Sequence, residues 1–323
     1  MPLDTIYLTR HGHRMNWTID YSTGTYHSAF PTPTGNPADP TLTAHGVRQS
    51  HELAAHLASA EFTPKPCRIY SSPFYRCLQT IKPSVEALEN LQGDAQGVRI
   101  ENGLGEWFGA STYFDHPSPA NPSDLHAHFP SIITQSSSEH KAHVIPSSRG
   151  ETIPQLHNRV ATALASIIAD IDGEVQAEEA RSGLHSSKAI LICAHAAPLI
   201  AMGRALTGAM PEDPNTEDFY VYTAGLSTFK RRKDGGLVVE DDDDGADGRN
   251  RRSRLAPGTK LVPEDRVRVP DWQGGKGVGG GWDCVKNGDC SFLSGGEERG
   301  WHFNGEESFD TGPMTGDNEG AKL

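Results

Sequence analysis

Apolar and polar positions alternate in two distinct rhythms along the first 230 residues or so of this chain. Short apolar runs bounded by polar residues predict strands at Thr5 to Thr9, Arg68 to Ser71, Val98 to Glu101, Ala189 to Ala194 and Leu226 to Arg231. Between them, helical patterns begin near Ala44, Phe74, Thr152 and Pro198. The third helix places Leu156, Val160, Leu164, Ile167 and Ile168 on one continuous face, which needs a core to cover it. Strands alternating with helices predict an α/β fold: a three-layer α/β/α sandwich around a mostly parallel central sheet, within residues 1–232.

Two interruptions, about 18–40 and about 111–149, are rich in Pro, Ser, Thr and His. Loops of that length inside a compact domain commonly shape a binding site, and these two are read as a cap around a substrate mouth. Their histidines, His116, His126, His128, His140 and His143, match no metal-ligand spacing and are read as solvated. Past residue 232 the pattern changes. The acidic run Glu240 to Asp244 precedes Arg249, Arg251, Arg252 and Arg254 without apolar periodicity, so residues 233–270 are expected to form a charged, flexible linker. Residues 271–323 form an irregular C-terminal extension carrying three of the chain's five tryptophans, Trp272, Trp282 and Trp301, together with Phe292, Phe303 and Phe309. Aromatic anchors of this kind predict docking, either back on the body or on a protein partner. Cys284 and Cys290 bracket a short turn, Val285 to Asp289, and lack the further ligands of a zinc site.

Composition narrows the functional classes. No stretch approaches the roughly 18 apolar residues that span a bilayer, and Met1-Pro2-Leu3-Asp4 enters a strand without a visible signal peptide. Five cysteines form no even framework, so a cytoplasmic or nuclear location is expected. A formal charge of -13 argues against a general nucleic-acid surface while leaving room for a small basic pocket.

Candidate chemistry collects at strand ends. Arg10-His11-Gly12 follows the first predicted strand, where an imidazole titrating near neutrality can attack phosphorus and a guanidinium can clamp phosphate oxygens. Ser72 is expected to cap the second helix with Pro73 at its first position, so that Arg76 projects from a helix N-terminus that favours an anion. The run Ala189 to Ala194 ends in His195. Ligands of parallel sheets bind outside the carboxyl ends of the strands, which puts His11 and His195 on one edge. Glu106 lies beside Trp107 in a Gly-flexed loop, where burial is expected to raise its pKa into the range of a general acid.

Arg10-His11-Gly12-His13-Arg14, the run from Asp39-Pro40 through Gln49, Ser71-Ser72-Pro73 with Arg76, Gly105-Glu106-Trp107 and Ala194-His195-Ala196 follow one another over about residues 5 to 230. In this order they resemble the histidine phosphatase superfamily, also called phosphoglycerate mutase-like, and within it the branch of Sts-type and ecdysteroid-phosphate phosphatases. His13 and Arg14 stand where a mutase-like opening would carry Glu or Gln and then Ser. The resemblance implies a phosphatase that needs no metal and no cofactor and acts on a phosphorylated small molecule or phosphoprotein. His11 would form a phosphohistidine, while Arg10, Arg14, Arg76 and His195 hold the phosphate oxygens. Gly12 would let the backbone approach the phosphate, and Glu106 would protonate the leaving oxygen and then activate water. Glu151 matches an acidic position that orients the pocket. The extension resembles that of fungal relatives in which such a domain is a subunit of the RNA polymerase III factor TFIIIC. This leaves an alternative in which the chain is a scaffold or complex subunit that binds a protein partner through its tail. Neither reading implies direct nucleic-acid or membrane contact.

Overall fold

The computed structural model describes residues 2–92, 97–233 and 254–303. Glu240 to Asp244, Arg249, Arg251, Arg252 and Phe309 lie outside the described residues. The elements run in the order β1 (Thr5–Arg10), β2 (Trp17–Asp20), β3 (Thr25–Ser28), α1 (Ala44–Ala58), β4 (Pro66–Ser71), α2 (Tyr75–Gln92) and β5 (Val98–Ile100). There follow α3 (Pro122–His128), α4 (Gln135–Ser138), β6 (Val144–Ile145), α5 (Ile153–Ser182), β7 (Ala189–Ala194) and α6 (Ala196–Thr207). β8 (Leu226–Arg231), β9 (Lys260–Leu261) and β10 (Trp282–Asp289) complete the elements of the described residues.

Six strands form the central sheet in the order β10-β8-β1-β7-β4-β5. β1, β7, β4 and β5 pair in parallel, and β8 and β10 add antiparallel pairings at one edge. The continuous apolar runs of β1 and β7 reflect burial on both faces. Ile6, Leu8, Ile190 and Ile192 pack with the α5 and α6 residues, whereas Tyr7, Leu191 and Cys193 pack with α1 and α2. This is the three-layer α/β/α sandwich. The apolar face of α5 is buried throughout, from Leu156 to Ile168, and the helix stops at Gly183, whose φ of 70° an L side chain adopts only with strain.

Two local expectations change. α2 begins at Tyr75, and its cap is not Ser72: Asp39 Oδ2, from the loop before α1, accepts the Tyr75 N–H at 2.9 Å. α6 begins at Ala196, two residues before Pro198, with His195 itself at the N-cap position.

The inserts contain short regular elements. β2 and β3 form a hairpin in the first; α3, α4 and β6 lie in the second. The solvated reading fits His126 and His128 but fails for His116, which is buried between the Tyr26 hydroxyl (2.5 Å) and the Gly109 carbonyl (2.8 Å). His140 and His143 are also partly buried, against Glu101 and Asp170.

The expected linker is shorter at its C-terminal side. From Arg254 onward the chain packs on the body, with β9 pairing to β6 and Val267 and Val269 buried. Trp272 is buried and donates to Asn158 Oδ1 at 3.2 Å; Trp282 is fully buried and donates to the Val278 carbonyl at 3.0 Å. The segment between Cys284 and Cys290 is not a turn but the greater part of β10, the sixth strand of the sheet. A sheet edge paired in this way also shields the β8 backbone from other partners.

Candidate active site

β1, β4 and β7 run parallel and deliver His11, Ser72 and His195 to one edge of the sheet, while the loop after β5 brings Glu106 from the side. The rings of His11 and His195 stand edge-on with centroids 5.3 Å apart. His11, Glu106 and His195 offer nitrogen and carboxylate atoms that all lie within 4.8 Å of one another. Arg76 reaches the same point from the first turn of α2, with Nη2 2.8 Å from Glu106 Oε2 and 3.1 Å from His195 Nδ1. Arg10, His11, Glu106, Trp17, Trp107 and Trp301 line the resulting pocket, together with Ala196 and Ala197 at the start of α6. A helix N-terminus facing such a pocket favours an anion there.

His11 is buried, and its Nδ1 lies 2.9 Å from the Gly12 carbonyl. A carbonyl can only accept, so the proton sits on Nδ1 and Nε2 carries the free lone pair. Burial holds the His11 pKa well below its ordinary value, and the charges of Arg76, His195, Arg10 and Arg14 push it down further. The ring is therefore neutral and nucleophilic at physiological pH.

Glu106 departs from the expected direction. Burial does raise its pKa, but His195, Arg76 and Arg14 outweigh burial and hold the carboxyl far below the usual carboxylate range. Proximity to Trp107 is legible in sequence; the three cations arrive from other segments. His195 moves the opposite way: burial lowers it, while Cys77 and Glu106 raise it above its ordinary value. The resting pocket thus holds an ion pair, with Glu106 occupying cationic groups that could otherwise bind phosphate.

The other expected residues take mixed places. Arg10 lines the pocket, and its Nη1 donates to the carbonyls of Val221 (2.9 Å) and Arg299 (2.5 Å). Arg14 lies over the Trp17 ring at 5.7 Å and donates to the Met15 carbonyl. Gly12 has a steric reason different from the expected one: a Cβ there would come within 2.9 Å of the Gly46 carbonyl oxygen, so the missing side chain lets the β1 loop pack on α1. Glu151 sits behind the site, where it takes both oxygens of its carboxylate to Arg159 Nε at 2.9 and 2.8 Å. Arg159 Nη1 in turn donates to the carbonyls of Gly103 and Gly105, fixing the loop that ends in Glu106.

The sequence reading singled out Ser72 and Asp39 without their contacts at the site, and it placed no residue of the extension there. Ser72 Oγ lies 2.7 Å from His195 Nε2. Asp39 pairs with Arg76 at 3.2 Å, and both side chains are fully buried. From the extension, Trp301 joins the pocket wall with its ring centroid 6.4 Å from that of Trp107, and Phe303 packs on Trp107 at 5.5 Å. A strand-end serine and an acidic residue before α1 are visible in the sequence, but nothing local announces that residues 298–303 return to the mouth.

Residues 6–244 match the sequence model of the histidine phosphatase superfamily, branch 1. The chain is 29% identical over 308 residues to the transcription factor tau 55 kDa subunit of Saccharomyces cerevisiae, covering 94% of this chain and 59% of that protein. Among solved structures, the ecdysone phosphate phosphatase of Bombix mori in complex with tungstate is 17% identical with a TM-score of 0.48, over 70% of this chain and 88% of that one. A mycobacterial glucosyl-3-phosphoglycerate phosphatase is 18% identical with a TM-score of 0.41, over 71% and 91%.

Proposed function

Because the chain belongs to the histidine phosphatase superfamily, we propose that it hydrolyses phosphomonoesters through a phosphohistidine on His11, without a metal at the reacting atoms. The observation that carries this reading is the state of His11: neutral, with Nδ1 committed to the Gly12 carbonyl, beside a cluster of Arg76, His195 and Glu106. Nε2 attacks phosphorus in line and the leaving oxygen departs with a proton. Arg10, Arg14, Arg76 and His195 balance the charge that develops on the phosphoryl oxygens.

The low pKa of Glu106 belongs to the resting ion pair. An entering phosphate dianion competes for Arg76 and His195, and it adds negative charge beside the carboxylate. Both effects raise the Glu106 pKa toward the protonated form that acid catalysis needs. After the leaving group departs as its alcohol, the carboxylate takes a proton from water, whose oxygen attacks the phosphohistidine and regenerates His11.

The test is hydrolysis of a generic aryl phosphate by the full chain and by His11→Ala, in chelator, across about pH 4 to 8. Turnover by the wild type, reduced at least ~10³-fold in the variant, is the expected result. Because His11 stays unprotonated well below its ordinary pKa, the acid limb of kcat/KM should not appear near pH 6.5. Equal activity in both proteins would sink the mechanism. A second reading, a complex subunit with a residual pocket, draws on the likeness to the tau 55 kDa subunit and on the extension lying against the pocket. It expects no turnover by the wild type and partner assembly unaffected by His11→Ala.

A further inference from the structure

A second cluster of ligating groups lies outside the phosphate pocket, where the second insert meets the end of β5. The Glu101 carboxylate is fully buried. Its Oε1 accepts the backbone N–H groups of Gly103 (2.9 Å) and Val144 (3.2 Å), and its Oε2 accepts that of His143 (2.8 Å). One further acceptor direction on Oε2 is met by His140 Nε2 at 3.3 Å. Glu101, His140 and His143 each offer a ligand atom, and the three lie within 4.8 Å of one another.

Hydrogen bonding among the protein groups does not account for His143. Its Nε2 lies 2.8 Å from Asp170 Oδ2, while its Nδ1 is buried and has no hydrogen-bond partner among the described residues. In the neutral ring whose Nε2–H donates to Asp170, the buried Nδ1 carries a lone pair, which is the arrangement in which a histidine is oriented toward a metal; a bound cation would displace the proton that the neighbouring Glu101 and Asp170 favour on this ring. His140 is held as well, its ring edge-on to Tyr70 with centroids 5.5 Å apart.

We propose that Glu101, His140 and His143 form a binding site for a zinc ion or a similar divalent transition metal, with Asp170 orienting His143. Two imidazoles and one carboxylate are a donor set that suits zinc. Bonds of about 2.0 to 2.1 Å at a tetrahedral angle put neighbouring ligand atoms about 3.3 Å apart, which is the separation already present between His140 Nε2 and Glu101 Oε2. The His140 and His143 side chains keep 8% and 12% exposure, and a water molecule would complete the usual four-coordinate shell. The ion would replace the His140–Glu101 hydrogen bond and clamp the 140–144 loop to the strand that leads into the Glu106 loop. It sits away from the reacting atoms, so its role is structural.

The full chain is stripped with chelator, exposed to a small excess of zinc, desalted and assayed for bound metal. His140→Ala, His143→Ala and His11→Ala are treated in parallel. About one zinc per chain is expected in the wild type and in His11→Ala, with loss of most of it in both insert variants. Cobalt(II) in place of zinc should give the visible absorption of a tetrahedral site in the same two proteins. Zinc should also raise the Tm of the wild type by roughly 3–5 °C at a hundredfold excess over Kd, and leave that of His140→Ala unchanged. Far-ultraviolet circular dichroism confirms that each variant is folded, and His140→Gln replaces any that is not. Three outcomes would overturn the proposal: no retained zinc in the wild type, zinc retained in both insert variants, or zinc lost only from His11→Ala, which would place it in the phosphate pocket.

Discussion

Arg76–Glu106 in the pocket and Arg159–Glu151 behind it are arginine–glutamate pairs closed at 2.8 Å, yet their carboxylates move in opposite directions. Glu151 is buried and meets one guanidinium; burial is the larger effect and its pKa rises. Glu106, 14% exposed toward the pocket, meets His195, Arg76 and Arg14, which outweigh burial. The rear pair neutralises itself and holds backbone carbonyls. The front one carries more cation than anion, an imbalance that folding alone does not require and that an incoming phosphate would complete.

Replacing each glutamate separates these roles. For Glu106→Gln we expect a fall in kcat/KM of about 10²- to 10⁴-fold, the range for loss of a general acid–base group, with a smaller loss of Tm, because Arg76 and His195 lose the carboxylate that their charges hold ionised. Steady-state hydrolysis beside a thermal melt measures both. Glu151→Leu should do the reverse in its primary effect: Arg159 is left buried without its counter-ion, and the cost in unfolding free energy is about 3–5 kcal/mol by denaturant titration. If Glu151→Leu left stability intact, the contrast between a structural and a functional pair would collapse.

The rear layer continues to Arg204, which is buried and doubly bonded to Asp218 at 2.8 and 3.0 Å. His157 lies beside it, with Nδ1 donating to the Ile153 carbonyl at 2.7 Å and its ring stacked on Trp272. Burial pushes the His157 pKa down to about 4, the Ile153 carbonyl opposes that shift, Arg204 adds to it and Asp218 opposes it. Unfolding restores the ordinary value near 6.5, so between about pH 6.5 and 4 the unfolded chain binds the extra proton. Stability therefore falls as pH drops through that window. The contribution of this residue is about 3 kcal/mol across it, and His157→Gln should flatten the slope of unfolding free energy against pH by that amount. An unchanged slope would show that His157 is not the group being titrated.

These shifts also mark how much of the molecule is legible before folding. The strands ending at Arg10 and Ala194 are, because an apolar run that stops at a basic residue fixes both the element and the edge where His11 and His195 emerge. Arg76 is legible as a residue near a helix start, but the cap is not: Asp39 reaches Tyr75 from 36 residues away, where local spacing carries no information. For Glu106 the residue is found and the direction of its pKa is missed, since burial is a local property while the opposing cations converge from β1, α2 and β7. β10 is harder still. Its burial pattern is uneven and its pairing to β8 is bulged, so neither strict alternation nor a continuous apolar run betrays a strand that joins the sheet.

The smallest effect sharpens the comparison at the pocket's outer wall. Trp301 is contributed by the extension and stands near Trp107, while Phe303 anchors the same segment among Trp107, His157 and Arg204. Phe303 is 1% exposed and belongs with the supporting layer; Trp301 is half-buried and borders the site. Trp301→Ala should therefore leave Tm within a few degrees and change substrate binding by about 1–2 kcal/mol, seen as a roughly 5- to 30-fold rise in KM for an aryl phosphate. Because Trp301 lines the pocket wall and is not part of the His11, Glu106 and His195 cluster, kcat should change less than KM. A matched loss in kcat with KM unchanged would instead assign Trp301 to the front pair's machinery, acting through the Trp107–Glu106 loop it packs against.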